Sequence, residues 1–362
     1  MLMFAGLLGV MLFGSAFVPD LGGTEDDEAA GREPELPPET PGDEARADLL
    51  DSVLSAAAPP EAAEAPLDAG DGEAALAEEL FRIEGSDGAD RLIGTDGADR
   101  IEGGSGPDEM GGGHGDDLIL GSDGMDEARG GDGDDILAGG EGHDTLLGED
   151  GADRLAGDAG DDALFGGLGD DALAGGDGAD WLVGGSGADT LAGGGDADAL
   201  EGMAGDDLLL GEAGADALFG GHGDDTLDGR VLDAGGRDID AGDYLNGEDG
   251  ADEVIAGAGD HVSLGEGADT LLVGDWITGT AAAVSDFDPA EDRLVVVFDD
   301  AAGPEPVLDL RPDADDGETS TLTLDGEAIL TLRGTGGLAL SDVTLIAQSD
   351  IAQLDPGRSG DG

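Results

Sequence analysis

Gly130-Gly131-Asp132-Gly133-Asp134-Asp135-Ile136-Leu137-Ala138 is one unit of nine residues, and the chain repeats it in both directions without losing frame. The sixth-position aspartate recurs at Asp90, Asp99, Asp108, Asp117, Asp126, Asp135, Asp144, Asp153, Asp162, Asp171, Asp180, Asp189, Asp198, Asp207, Asp216 and Asp225. A glycine stands five residues before every one of them, from Gly85 to Gly220. A second glycine stands two residues before each, with Asp196 the single departure. Two residues after each aspartate comes an apolar residue, as at Leu92, Ile101, Met110 and Ile119, with Ala128 the weakest.

The unit has two physical parts. Glycines at its first and fourth positions are expected to let the backbone take positive φ in a tight turn. Its last three residues alternate outward, inward, outward, as a short strand does. Two units then make one flat coil of eighteen residues, and successive coils stack strand on strand about 4.8 Å apart. The apolar eighth position points between two parallel sheets. A core one leucine deep per strand does not overcome the ordering entropy of the chain. The aspartates and bare glycine carbonyls of stacked turns converge on the gap between them. Hard oxygens in a flexible loop suit calcium, whereas magnesium demands rigid octahedral geometry and keeps its water. Softer metals would seek thiolate or imidazole, which the turns do not offer.

Composition agrees. Acidic residues number 88 against 13 basic ones, and the formal net charge is −75. A compact chain with that charge repels itself unless cations bind it. Nucleic acid is excluded as a partner on sign. Cysteine is absent, so no disulfide can staple the fold, and a metal would serve in its place. There is no lysine and hence no phosphate-binding loop of the Gly-Lys-Ser/Thr type.

The nonapeptides resemble those of the RTX family, the hemolysin-type calcium-binding repeats, with the pattern Gly-Gly-x-Gly-x-Asp-x-(Leu/Ile/Phe)-x. The resemblance covers about half the chain. It implies an all-β fold, a right-handed parallel β-roll or β-solenoid, with several Ca2+ ions in its turns. It also implies export through type I secretion machinery and folding on meeting extracellular calcium. The metal ligands it points to are the sixteen in-register aspartates, followed by Asp243, Asp252 and Asp269. Ala234 and His261 stand where the frame expects aspartate, and Asp269 falls one residue early, so the calcium ladder is expected to break around residues 229–240.

Outside the repeats the organisation is simpler. Residues 1–18 are apolar and uncharged, which fits a membrane anchor, a signal-like segment or an incidental apolar terminus. Residues 19–80 read as an acidic, disordered linker, and 73–81 carries apolar residues at helical spacing, either a short capping helix or a nascent helix within the linker. The roll is expected over 81–276. Residues 277–349 lose glycine and gain apolar runs at 293–298, 319–324 and 328–332, with Asp325-Gly326 as a turn, so a small antiparallel β region is expected there. Asp286, Asp288 and Asp292 form an acidic segment that either holds one more calcium or is a solvated turn. Residues 350–362 read as a disordered tail.

No catalytic constellation is present. His-Glu-x-x-His and Gly-x-Ser-x-Gly are missing, and His114, His143, His222 and His261 all sit inside repeats. The sequence is therefore read as a non-enzymatic calcium-binding protein, secreted or membrane-anchored with the roll outside the cell. The alternatives are a toxin or enzyme lacking a recognisable catalytic domain, and a simple calcium buffer. Leu147, Phe165 and Val183 stack on one outer face, either as a self-association surface or as scattered surface apolars.

Overall fold

The structure is a computed structural model and describes residues 81–301, 303, 305–312, 319–333 and 338–349. Two sheets face each other across a single file of apolar side chains. Odd and even strands go alternately to one sheet and the other, so sheet neighbours are one full coil apart in sequence. Ala163–Leu168 illustrates the register: Leu164 pairs with Leu146 on one side and Leu182 on the other, both parallel and both eighteen residues away. Such crossover pairing at a fixed stagger is a β-solenoid.

The eighth-position residues fill the space between the sheets. Ile119, Leu146, Leu164, Leu182, Leu200 and Leu218 are all fully buried. Their neighbours at the seventh and ninth positions are half-buried or exposed, as the alternation requires.

The strands are twice as long as the sequence suggests. Each runs through the last three residues of one unit and the first three of the next, as in Ala172–Asp177 and Thr190–Gly195. The glycine roles also differ from expectation. Positive φ falls at the second and fourth positions, with Gly131 at 122° and Gly133 at 139°, while Gly130 at the first position is not left-handed. The first-position glycine is needed for space instead. A methyl group on Gly130 would lie 2.2 Å from Oδ2 of Asp135. At the second position several units place a non-glycine residue in the left-handed region, including Glu149 (φ 81°) and Met203 (φ 82°).

Beyond Asp225 the stagger changes. Ala217 pairs with Tyr244, twenty-seven residues on, and Tyr244 pairs with His261, seventeen residues on. A nine-residue surplus is looped out between Gly229 and Asp243, and one residue is then dropped. The roll therefore continues across the place where a break in the ladder is expected.

Both sheets run on into the C-terminal residues. Thr270–Gly274 pairs parallel with Arg293–Phe298, which pairs parallel with Val343–Ala347. The run at 293–298 is thus a roll strand and not half of a hairpin. The other sheet is extended by Ala282–Val284 and Glu327–Arg333, then turns antiparallel through Thr319–Leu324 and Leu308–Pro312. Asp325-Gly326 makes the expected hairpin turn, with both residues at positive φ. Of the helix considered at 73–81 only Phe81 is described, and it opens the first strand, Phe81–Glu84. Residues 1–80 and 350–362 lie outside the described residues. Among the described residues no helix is long and apolar enough to cross a membrane.

Candidate metal-binding ladders

The two edges of the roll carry the aspartates as two continuous ladders. On one edge the N–H of Asp90 donates to Oδ1 of Asp108 at 2.8 Å, Asp108 to Asp126, and so on through Asp144, Asp162, Asp180, Asp198, Asp216 and Asp243 to Asp260. On the other edge the same bond links Asp99, Asp117, Asp135, Asp153, Asp171, Asp189, Asp207, Asp225, Asp252, Asp269 and Asp292. Every sequence-predicted site residue is a rung. Neither ladder is interrupted at 229–240, because Asp216 and Asp225 reach across the loop to Asp243 and Asp252.

Asp260 and Asp292 are rungs that the nine-residue frame misses. The dropped residue places Asp260, not His261, in line. Its signal in the sequence is Gly259 before it and Val262 two residues after it, the same apolar offset that follows every other rung.

Oδ1 is thus accounted for, and Oδ2 is not. Eighteen aspartate Oδ2 atoms among the described residues are buried with no hydrogen-bond partner. They belong to every rung from Asp108 to Asp252, to Asp269, and to Asp240 from the looped-out segment. The outer rungs differ. Oδ2 of Asp90 receives the N–H and hydroxyl of Ser86, and Oδ2 of Asp99 those of Thr95. At the far end Oδ2 of Asp260 receives the N–H of Gly257, and that of Asp292 the N–H of Asp288. The ladders are therefore closed at both ends by the protein and left open along their middle. Asp286 is likewise held, by Ser263 and the N–H of Leu264, and clamps the roll to the C-terminal strands.

A buried carboxylate with one unsatisfied oxygen is costly as an anion. Burial pushes Asp135, Asp162, Asp171 and Asp198 up to about 7, and Asp243 up to about 8. The N–H from the preceding rung works against this, and the carboxylates of flanking rungs add to it. In most of the regular units the orphan Oδ2 faces its own first-position glycine together with a carbonyl from the next coil. A methyl group on Gly103 would lie 2.5 Å from Oδ2 of Asp108 and 2.9 Å from the carbonyl oxygen of Gly121. A row of buried, unpartnered, hard oxygen donors beside glycine carbonyls fits a hard cation of flexible coordination, which is calcium's character.

The profile of the RTX calcium-binding nonapeptide repeat matches residues 82–110, 111–146, 139–173, 147–182, 174–209, 201–231 and 240–271, about half of the chain. The chain belongs to this RTX repeat family. Such repeats bind calcium, and the unmatched gap at 232–239 falls within the looped-out segment. The crystal structure of extracellular lipase LipA from Serratia marcescens is similar at 18% identity, over 71% of this chain and 40% of that one, with a TM-score of 0.17. The match thus spans under half of the lipase, and at that score it bears on no activity. No curated protein matches the chain.

The four histidines add no second centre. His114 pairs with Asp132 at 2.8 Å and His222 with Asp249 at 2.9 Å, both on exposed turns. His143 accepts the N–H of Asp161.

Proposed function

We propose that this RTX protein is a non-enzymatic element that folds on binding several calcium ions through its aspartate ladders and works outside the cell, released or held at a surface through residues 1–18. The supporting observation is the row of buried Oδ2 atoms with no protein partner. Each is a carboxyl that the fold brings into the interior and whose charged form it leaves unbalanced, so the chain with a net charge of −75 lacks the means to hold the roll closed unaided at neutral pH. Divalent cations supply both the charge and the missing bonds. Type I secretion machinery as the export partner follows from the family resemblance alone.

Far-UV circular dichroism of the full chain, titrated with calcium after EDTA and with magnesium in parallel, tests this reading. A cooperative coil-to-β transition with calcium alone is expected, with a midpoint of about 10⁻⁴ to 10⁻³ M, as for extracellular modules. Full β structure in EDTA, or an equal response to magnesium, would overturn it.

The same reading gives the roll a self-association face on the sheet bearing Leu147, Phe165 and Val183. Trp181 stands edge-on to Phe165 at 5.2 Å and is 45% exposed, which adds an aromatic pair to that stripe. Phe165→Asp is expected to reduce the calcium-loaded species to a monomer in sedimentation velocity. An unchanged mass would remove this face from the proposal.

A further inference from the structure

The looped-out segment between Gly229 and Asp243 brings to a ladder a carboxylate, Asp240, that is not itself a rung. Fifteen residues span Gly229 to Asp243, against six from Gly130 to Asp135. Both ends of the segment nevertheless keep the geometry of an ordinary turn. A methyl group on Gly229 would lie 2.6 Å from Oδ2 of Asp243, and one on Gly130 would lie 2.2 Å from that of Asp135. The surplus forms a small hairpin in which Ile239 N–H donates to the carbonyl of Val231 and Asp233 N–H to that of Arg237. Its base is fixed to the roll by Arg230, which lies 4.5 Å over the ring of Trp276, and by Asp238, whose N–H donates to the Trp276 carbonyl.

Asp238 is spent on this anchoring. Its carboxylate accepts the N–H groups of Val231 and Ala258. Asp240, two residues on, is placed differently. Its Oδ1 accepts the N–H of Gly214 at 3.0 Å, where other turns use a backbone carbonyl of the next coil, as Gly205 does with His222. Its Oδ2 is buried with no partner, as are the Oδ2 atoms of Asp216 and Asp243, two residues that are each only 2% exposed. One carboxylate oxygen from each of the three lies within 4.8 Å of the others.

We infer that Asp216, Asp240 and Asp243 form a calcium site of a kind distinct from the repeat sites, with three carboxylates where a stacked pair of turns offers two, and that this site pins the looped-out hairpin into the roll. The inference rests on the calcium-binding reading of the ladders and adds Asp240 to it. Three anions packed this closely repel one another, so the hairpin closes when a divalent cation joins them. Ligand charge count is a principal control of calcium affinity, which puts this site at the tight end of the series.

Asp240→Asn is a clean probe, because the asparagine Oδ1 still accepts the Gly214 N–H and only the orphan anionic oxygen is lost. Hydrogen exchange with peptide-level mass spectrometry on the full chain, across a calcium series begun in EDTA, reads the hairpin and the repeat strands together. At the calcium concentration that saturates residues 108–207, amides of 230–242 in the variant are expected to exchange at least tenfold faster than in the wild type. A tenfold excess of calcium is expected to restore them. Protection equal to wild type, or a loss that added calcium does not reverse, overturns the site. If residues 108–207 are already protected in EDTA, the calcium-folding reading fails separately. The hairpin must then still gain protection with calcium in the wild type, and only at about tenfold more calcium in the variant, for this inference to stand.

Discussion

The repeats and the C-terminal strands belong to the same two sheets, yet they are held together by opposite means. Ala172–Asp177 buries Leu173 and Gly175, and flanking it are carboxylates whose Oδ2 atoms have no partner. Arg293–Phe298 buries Leu294, Val295, Val296 and Val297 in a row, and the carboxylates of Asp286 and Asp292, which precede it in the chain, are bonded to the protein. A strand buried on both faces contributes apolar area on each, whereas a repeat strand contributes one side chain. On the proposed reading the first architecture is conditional on a cation, whereas the second is carried by its own core.

Removing calcium should separate the two most widely. In EDTA, amides of residues 99–225 are expected to lose all exchange protection, while 293–298 and 322–332 retain part of theirs. Simultaneous loss of both would mean that the C-terminal strands have no stability of their own.

Acidity should have the next largest effect, and its sign follows from the raised carboxyls. Asp135, Asp162 and Asp171 titrate near 7 in the folded roll, above the usual carboxylate range. The folded state therefore holds protons that the unfolded chain releases near pH 4. In EDTA the roll is expected to be most stable below about pH 4 and to weaken progressively as pH rises to about 7. With calcium the trend reverses, because protons compete for the ligands, and the calcium midpoint should rise as pH falls from 8 to 5. Circular dichroism at fixed total calcium checks both arms.

Point substitutions sharpen the contrast. Val296→Asp puts an unpaired charge at a fully buried site and should cost about 4 kcal/mol, with no rescue by added calcium. Gly166→Ala places a methyl 2.3 Å from Oδ2 of Asp171 and 2.6 Å from the carbonyl of Gly184. It should cost about 2 kcal/mol and shift the calcium midpoint upward. Glu149→Gly relieves a left-handed second position and should stabilise the roll by up to about 1 kcal/mol, leaving the C-terminal strands untouched. Thermal unfolding in calcium ranks the three.

The contrast also marks what could be read from the sequence. A strict period with an aspartate two residues before each apolar position is enough to give parallel coils, the core and every ladder rung up to Asp225. What escaped depends on facts that a linear frame does not carry. Asp260 was hidden by one dropped residue, since a frame counts positions whereas a hydrogen-bond ladder follows space. Asp240 was hidden because it sits in surplus chain whose return to the turn is a three-dimensional matter. The first-position glycine looks like the fourth in sequence, but one answers a neighbour's approach and the other a dihedral angle. Ser86 and Thr95 stand at the second position of the first two units, where the glycine pattern assigns them no role, and in space they satisfy the Oδ2 atoms of the first two rungs.

The ladders also have a direction. Every rung before the last of its ladder gives its N–H to the aspartate of the following coil and takes none from it, so one open end of a roll presents donors and the other presents carboxylate acceptors. A roll cut between any two interior coils would carry two complementary ends on one molecule. Copies joined through them would reproduce the internal stacking without ever closing, which is the geometry of a filament. The antiparallel strands at 308–333 turn the sheet away from that geometry at one end, and so the same residues that end the fold also cap its growth.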